Sequence, residues 1–152
     1  MKSSSHNPRI GFLIVLSVFL YLSASAAETG RIEISVSGVA PIQGPIACAL
    51  FSSKVGFPLE SKKHAIEQVR VPASNGTATC IFESVIPGDY AVAVVHDTND
   101  NKEADTNFFG IPTEGVGVSN NAMPKASFPK FDNCRFSVIG GQSAKQEIKL
   151  RY

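Results

Sequence analysis

Hydrophobic and polar positions alternate with a period of two along most of this chain. Over residues 31–39, Ile32, Ile34 and Val36 fall on one face and Glu33, Ser35 and Ser37 on the other, as in a strand with one buried face. Residues 44–51 form a short apolar run that suits a strand covered on both faces. Residues 68–71 read as a weak strand and residues 77–82 as a further one. Between them lies Ala73-Ser74-Asn75-Gly76, where Asn-Gly is hairpin-turn chemistry. Residues 89–95 make the most apolar strand, and residues 135–139 and 146–152 the last two, joined through Gly140-Gly141. Only residues 59–68 have helical character. About seven short strands separated by Gly, Pro and Asn turns predict an all-β, single-domain sandwich.

One segment breaks the rhythm. Residues 97–133 carry no strand pattern and exceed ordinary loop lengths, which in a compact domain marks a functional or disordered stretch. Its Phe and Pro content (Phe108, Phe109, Pro112, Phe128, Pro129, Phe131) favours one long ordered loop packed on the sandwich.

The first 26 residues have a different grammar. Lys2 and Arg9 precede a nearly unbroken apolar run at residues 10–22, and Ala24-Ser25-Ala26 is a small-residue cleavage site. Residues 1–26 are thus expected to be a signal peptide and residues 27–152 the exported sandwich domain, periplasmic or extracellular. No later stretch is apolar and long enough for a transmembrane segment. Without Lys2 and Arg9, the 14 basic residues become 12 against 13 acidic ones, a charge near −1 that argues against nucleic-acid partners. Three cysteines (Cys48, Cys80 and Cys134) are an odd number for an oxidising compartment. Cys48 and Cys80 both lie in strand-like segments, so either they are bridged or all three are small buried hydrophobes. No Cys-x-x-Cys pair or nearby His points to zinc or thiol-redox chemistry.

The chemistry concentrates at the start of the long segment. Asp97, Asn99, Asn101 and Asp105 set oxygens at positions one, three, five and nine of a loop, with the Glu103 carbonyl as a further donor. Hard cations ask for such spacing, which makes Ca2+ the candidate cofactor. Compared with the calcium loop of helix–loop–helix proteins, Lys102 stands at the turn glycine and Phe108 at the closing glutamate. A missing carboxylate would come from Glu114 or Asp132. Loops rich in Asx residues also bond their own backbone with no ion present.

The residues Phe82-Glu83-Ser84-Val85-Ile86-Pro87-Gly88-Asp89-Tyr90 resemble a signature of transthyretin-like and collagen-binding B-type sandwiches. Together with Val95-His96-Asp97-x-Asn99-x-Asn101, Asp105-Thr106-Asn107, Phe109-Gly110-Ile111-Pro112-x-Glu114-Gly115 and Ser119-Asn120-Asn121-Ala122, the chain resembles the bacterial family DUF2141, a domain of unknown function found in exported proteins. The resemblance implies an immunoglobulin-like or transthyretin-like β-sandwich and brings no activity with it. It implies glycine where Asp100 and Lys102 stand, hence a sharp turn there. It also implies Ala at Cys134, a small buried residue.

Candidate catalytic groups are sparse. His96 and Asp97 are neighbours in a strand and so point to opposite faces, which places them poorly as an acid–base pair. A strand-end His bonded to loop backbone is the simpler expectation. Ser119 lacks the Gly-x-Ser-x-Gly elbow, Gly115-x-Gly117 is too little for a phosphate loop, and Asn75-Gly76-Thr77 reads as turn chemistry rather than a glycan site. Phe108, Phe109 and the following aromatics, with His96, Glu114, Asn120 and Asn121, would line a ligand groove, or else pin the loop to the sandwich.

The sequence therefore predicts a binding or structural accessory with a calcium-stabilised loop and an unidentified protein, peptide or sugar partner. Its alternatives are a metal-assisted hydrolase using His96, Asp97, Glu114 or a metal-bound water, and a sugar- or peptide-binding module. Exposure of Phe108 or Phe128 would favour the module.

Overall fold

The computed structural model describes residues 28–108 and 110–152. The expected signal peptide (residues 1–26) and Phe109 lie outside the described residues. Eight strands follow in order: β1 (Gly30–Ser37), β2 (Pro45–Phe51), β3 (Glu67–Pro72), β4 (Thr77–Val85), β5 (Gly88–His96), β6 (Gly115–Val118), β7 (Phe136–Val138) and β8 (Ser143–Lys149). They form two sheets, β4-β1-β8 and β3-β2-β5-β6, with β7 pairing the first residues of β5. The all-β sandwich is as the alternation predicts. Pairing is antiparallel except between β1 and β8, which run parallel over Arg31↔Ser143 to Ser37↔Lys149.

Alternation decides which side chains enter the core. Ile32, Ile34 and Val36 of β1 meet Ile46, Cys48 and Leu50 of β2, Cys80 and Phe82 of β4, and Val92 and Val94 of β5 between the sheets. Cys48 and Cys80 bridge the two sheets through a disulfide, while Cys134 is free and buried. The outer face of the second sheet carries a smaller core of Ala49, Phe51, Ala91, Ala93, Val118 and Cys134. Phe57 and Phe131 cover it, with Phe57 edge-on to both Phe51 and Phe131 at centroid distances of 5.2 and 5.9 Å. This double burial is why β2 and β5 read as continuous apolar runs.

Three local expectations change. The 59–68 stretch yields a single helical turn, Ser61–His64, with no buried residue to hold a longer helix. Asn75 and Gly76 do form a tight turn, with φ of 52° and 77°. Only the Ser74↔Thr77 rung follows, because β3 joins one sheet and β4 the other. The long segment also hides β6, whose Gly-Val-Gly-Val lacks a polar alternation. A Cβ on Gly115 would lie 2.5 Å from the Tyr152 ring, and one on Gly117 would lie 2.6 Å from Ile148 Cγ2. Those glycines let residues from the opposite layer close against β6, so the Gly-x-Gly is a packing device.

Tyr90 closes one end of the core. It is buried, and its hydroxyl donates to the Ile86 carbonyl at 2.7 Å across the Pro87-Gly88 turn. Among the described residues, no helix is long and apolar enough to cross a membrane.

Candidate functional site

Strand register assembles the polar loop. Ala47 of β2 lies opposite Arg70 of β3 on one side and opposite Val95 of β5 on the other. Residues directly opposed share a face, so Arg70, Ala47 and Val95 form a row on the outer face of the sheet. Asp97 lies two residues beyond Val95 and belongs to the same face. Its backbone N–H donates to the Pro45 carbonyl at 3.0 Å, which prolongs the ladder by one rung.

Asp97 is 1% exposed, yet its carboxylate is fully engaged. Arg70 Nη2 donates to Oδ2 at 2.6 Å, and the same nitrogen lies 2.7 Å from Asp100 Oδ1. The backbone N–H of Asn101 donates to Oδ1 at 3.1 Å and that of Lys102 to Oδ2 at 2.8 Å. Burial by itself would push the Asp97 carboxyl up; the Arg70 guanidinium and the two N–H donors outweigh it and hold the group below the usual carboxylate range. The bond to Asp97 correspondingly raises Arg70, against the opposing effect of burial.

The remaining loop residues bond one another. Asn99 Oδ1 accepts the Asn101 N–H at 3.1 Å, and Asn101 Oδ1 accepts the Glu103 N–H at 2.9 Å. The amide nitrogens of Asn99 and Asn101 then donate to the Asp105 carboxylate at 2.7 and 3.0 Å. Thus Asn99, Asn101 and Asp105 converge, while Asp97 turns toward Arg70. Glu103 directs its carboxylate outward to Lys62 Nζ at 2.8 Å. Asp100 and Lys102 take φ of 55° and 66°, the left-handed conformation that glycine would adopt freely at those two positions. Among the described residues, no group of three or more His, Cys, Asp or Glu is arranged to hold a metal ion.

Glu114, 4% exposed, ties the two ends of the loop together. Its Oε1 accepts the Thr98 N–H at 2.9 Å and the Thr98 hydroxyl at 3.2 Å, and its Oε2 accepts the Asp105 N–H at 3.3 Å. Beyond Asp105 the chain makes a small hairpin, with Thr113 N–H on the Asp105 carbonyl and Asn107 N–H on the Ile111 carbonyl, both at 2.9 Å. Phe108 sits at its tip.

His96 is wholly buried and points into the sandwich, away from Asp97. Its Nε2 lies 2.7 Å from the Gln43 carbonyl, which can only accept, so the proton resides on Nε2. Nδ1 then accepts from the Tyr152 hydroxyl at 2.7 Å, and that hydroxyl in turn accepts the Ala40 N–H at 3.0 Å. Ser119, also buried, accepts the Val92 N–H at 2.9 Å and donates to the Cys134 carbonyl at 2.6 Å. Asn120 donates to the Arg135 carbonyl at 2.9 Å. Asn121 pairs with the outer edge of β8, donating to the Glu147 carbonyl and accepting the Lys149 N–H, each at 2.8 Å. Its amide does there what a neighbouring strand's peptide group would do.

A groove of about 690 Å³ runs between the 110–116 arm, the 123–129 segment and the last two residues. Ile111, Val116, Met123 and Phe128 give it apolar walls, and Arg151 and Lys125 supply charge. Of the expected site residues, Glu114 lines it, whereas His96, Phe108, Asn120 and Asn121 do not. Phe131 packs beneath the segment, but Phe108 is 97% and Phe128 54% exposed. Arg70, Lys62, Arg151 and Tyr152 carry much of this architecture without any local sequence signal, since each acts on residues far away in the chain.

Two sheets joined by a disulfide, with a polar loop clamped by Arg70 beside an open groove, define an all-β sandwich domain. The chain belongs to the family described as uncharacterized protein conserved in bacteria (DUF2141), whose model matches residues 34–147. Neither a curated protein nor a solved structure matches the chain.

Proposed function

We propose that this protein is an exported binding module whose ligand face is the groove beside the 97–114 loop. The exposure of Ile111 and Phe128 in the lining of that groove carries the reading, because large apolar side chains exposed on a folded frame are typical of contact surfaces. The loop then serves as a stiff wall, with Asp97 and Asp100 paired from within by Arg70. Export is supported by the Cys48–Cys80 bridge, since such bonds persist in oxidising compartments, and by the signal-like pattern of residues 1–26. The buried Tyr90 beside Pro87-Gly88 supports kinship with transthyretin-like sandwiches at the level of a local signature.

Binding is favoured over hydrolysis by the state of the polar groups. Both nitrogens of His96 and both oxygens of Asp97 and of Glu114 are engaged within the fold. A general base needs a free lone pair within reach of substrate. An NMR titration with short peptides and oligosaccharides tests the proposal. Shifts confined to residues 110–116, 123–129 and 151–152, without turnover of the probe, are expected. Turnover, or shifts elsewhere, would reject it.

A second reading, a calcium-stabilised loop, is favoured by the convergence of Asn99, Asn101 and Asp105. An ion there would displace the N–H groups that the Asn oxygens accept, so the expected affinity is weak. Calorimetry with calcium in excess decides it: binding lost in Asp105→Ala establishes the site, and no heat from the unmodified protein removes it.

A further inference from the structure

The ligand face carries a charge imbalance that narrows what it would bind. Four arginines lie among the described residues, and three pair with carboxylates: Arg31 with Glu83, Arg70 with Asp97 and Asp100, and Arg135 with Asp89. Arg151 has no carboxylate partner among the described residues. Its Nη1 donates to the Met123 carbonyl at 3.0 Å, which holds the guanidinium at the groove wall. Lys125, exposed on the same groove, has no ion-pair partner among the described residues either. Among the described residues, the one acidic side chain in the lining is Glu114, which is buried and bonded to Thr98 and Asp105. A protein expected to carry a net charge near −1 once exported thus presents a groove with two cationic side chains and, among the described residues, no unpaired carboxylate side chain.

We infer that the groove binds an acidic peptide segment in which a carboxylate neighbours a large apolar side chain, an inference that rests on the binding-module reading. Arginine offers a planar fork of donors that matches a carboxylate, and it is anchored here rather than free to swing. Ile111, Val116, Met123 and Phe128 supply the apolar floor, and Met and aromatic residues are favoured where a surface must adapt to a partner side chain. Pro112, Pro124 and Pro129 stiffen the walls, which lowers the ordering cost of binding.

The test is an NMR titration with a synthetic heptapeptide alternating Asp or Glu with Phe and Leu. Its arms are the same peptide with Lys for every acid, an oligothymidylate, and a neutral oligosaccharide. The acidic peptide should shift the amides of Ile111, Val116, Met123 and Arg151 and weaken as salt is raised. Arg151→Glu should weaken it about tenfold or more, and Lys125→Glu about threefold. Lys125 is exposed, so its variant keeps the fold, and Arg151→Lys separates the loss of the fork from the loss of charge. Equal binding of the lysine peptide, or preference for the oligothymidylate or the oligosaccharide at the groove, overturns the acidic-peptide inference and leaves the binding module standing. Absence of groove shifts with every probe overturns both.

Discussion

Arg70 reaches over Ala47 to Asp97, its Nη2 2.6 Å from Asp97 Oδ2 and 2.7 Å from Asp100 Oδ1. Three strands contribute to this one contact, and the smallest of the three residues is what makes it passable. A pair of this kind holds a buried carboxylate that the fold would otherwise disfavour.

Arg70→Met is therefore expected to cost about 2–3 kcal/mol, less than a fully buried pair because the Arg70 side chain keeps 31% of its exposure. The pH profile should change with it. Asp97 is held below its unfolded value, so its contribution is complete above about pH 4 and is lost as pH falls through the folded value. In the variant, burial acts with less opposition and the folded carboxyl moves up toward or past its unfolded value, so the loss of stability on acidification should shrink or reverse. Urea midpoints measured across the acid range would refute this coupling if the two proteins lose stability in parallel.

Ala47→Leu should injure the same contact without removing a charge. A branched side chain in the row between Arg70 and Val95 obstructs the guanidinium. Combined with Arg70→Met it should add much less than its cost alone, as expected of residues serving one interaction. Full additivity would show that Ala47 has no part in it.

Lys102→Gly is expected to stabilise. The residue sits at φ 66°, where a Cβ costs about 1 kcal/mol, partly offset by the greater freedom of glycine when unfolded. A net gain of about 0.5 kcal/mol in thermal or urea unfolding is the expected outcome. A loss would mean that the lysine side chain contributes more than its backbone strain.

The two kinds of cysteine should behave oppositely. Replacing both Cys48 and Cys80 by Ala should cost about 3–4 kcal/mol, given a separation of 32 residues. Burial pushes the Cys134 thiol up to about 11, so it should resist iodoacetamide near neutral pH until the protein unfolds. Rapid alkylation of the native protein would show that the 131–134 turn opens readily.

Much of this was legible in the alternation of side chains. β1 declared itself through period two and β2 and β5 through short apolar runs, and the glycine positions implied by the family resemblance at Asp100 and Lys102 coincide with left-handed backbone. What stayed hidden were relations between distant residues. Arg70 looked like one polar residue in a weak strand, and only the register of three strands brings it to Asp97. β6 escaped notice because its alternate residues are glycines that make room for Tyr152 and Ile148, so its inner face has no side chains to count. Tyr152 and Arg151 follow the last strand, and nothing near them in sequence marks the buried His96 or the groove they serve.

Asn121 has a consequence for how these molecules behave in a crowd. An open strand edge invites a neighbouring chain to add itself, the first step toward fibres. At β8 an incoming strand would find the Glu147 carbonyl and the Lys149 N–H already taken by a side-chain amide. At β6, Val116 exchanges both of its backbone bonds with Arg151 of the same chain. Two flanks of the sandwich are thus closed by the protein's own residues, which would let it stand concentrated among its copies without recruiting them.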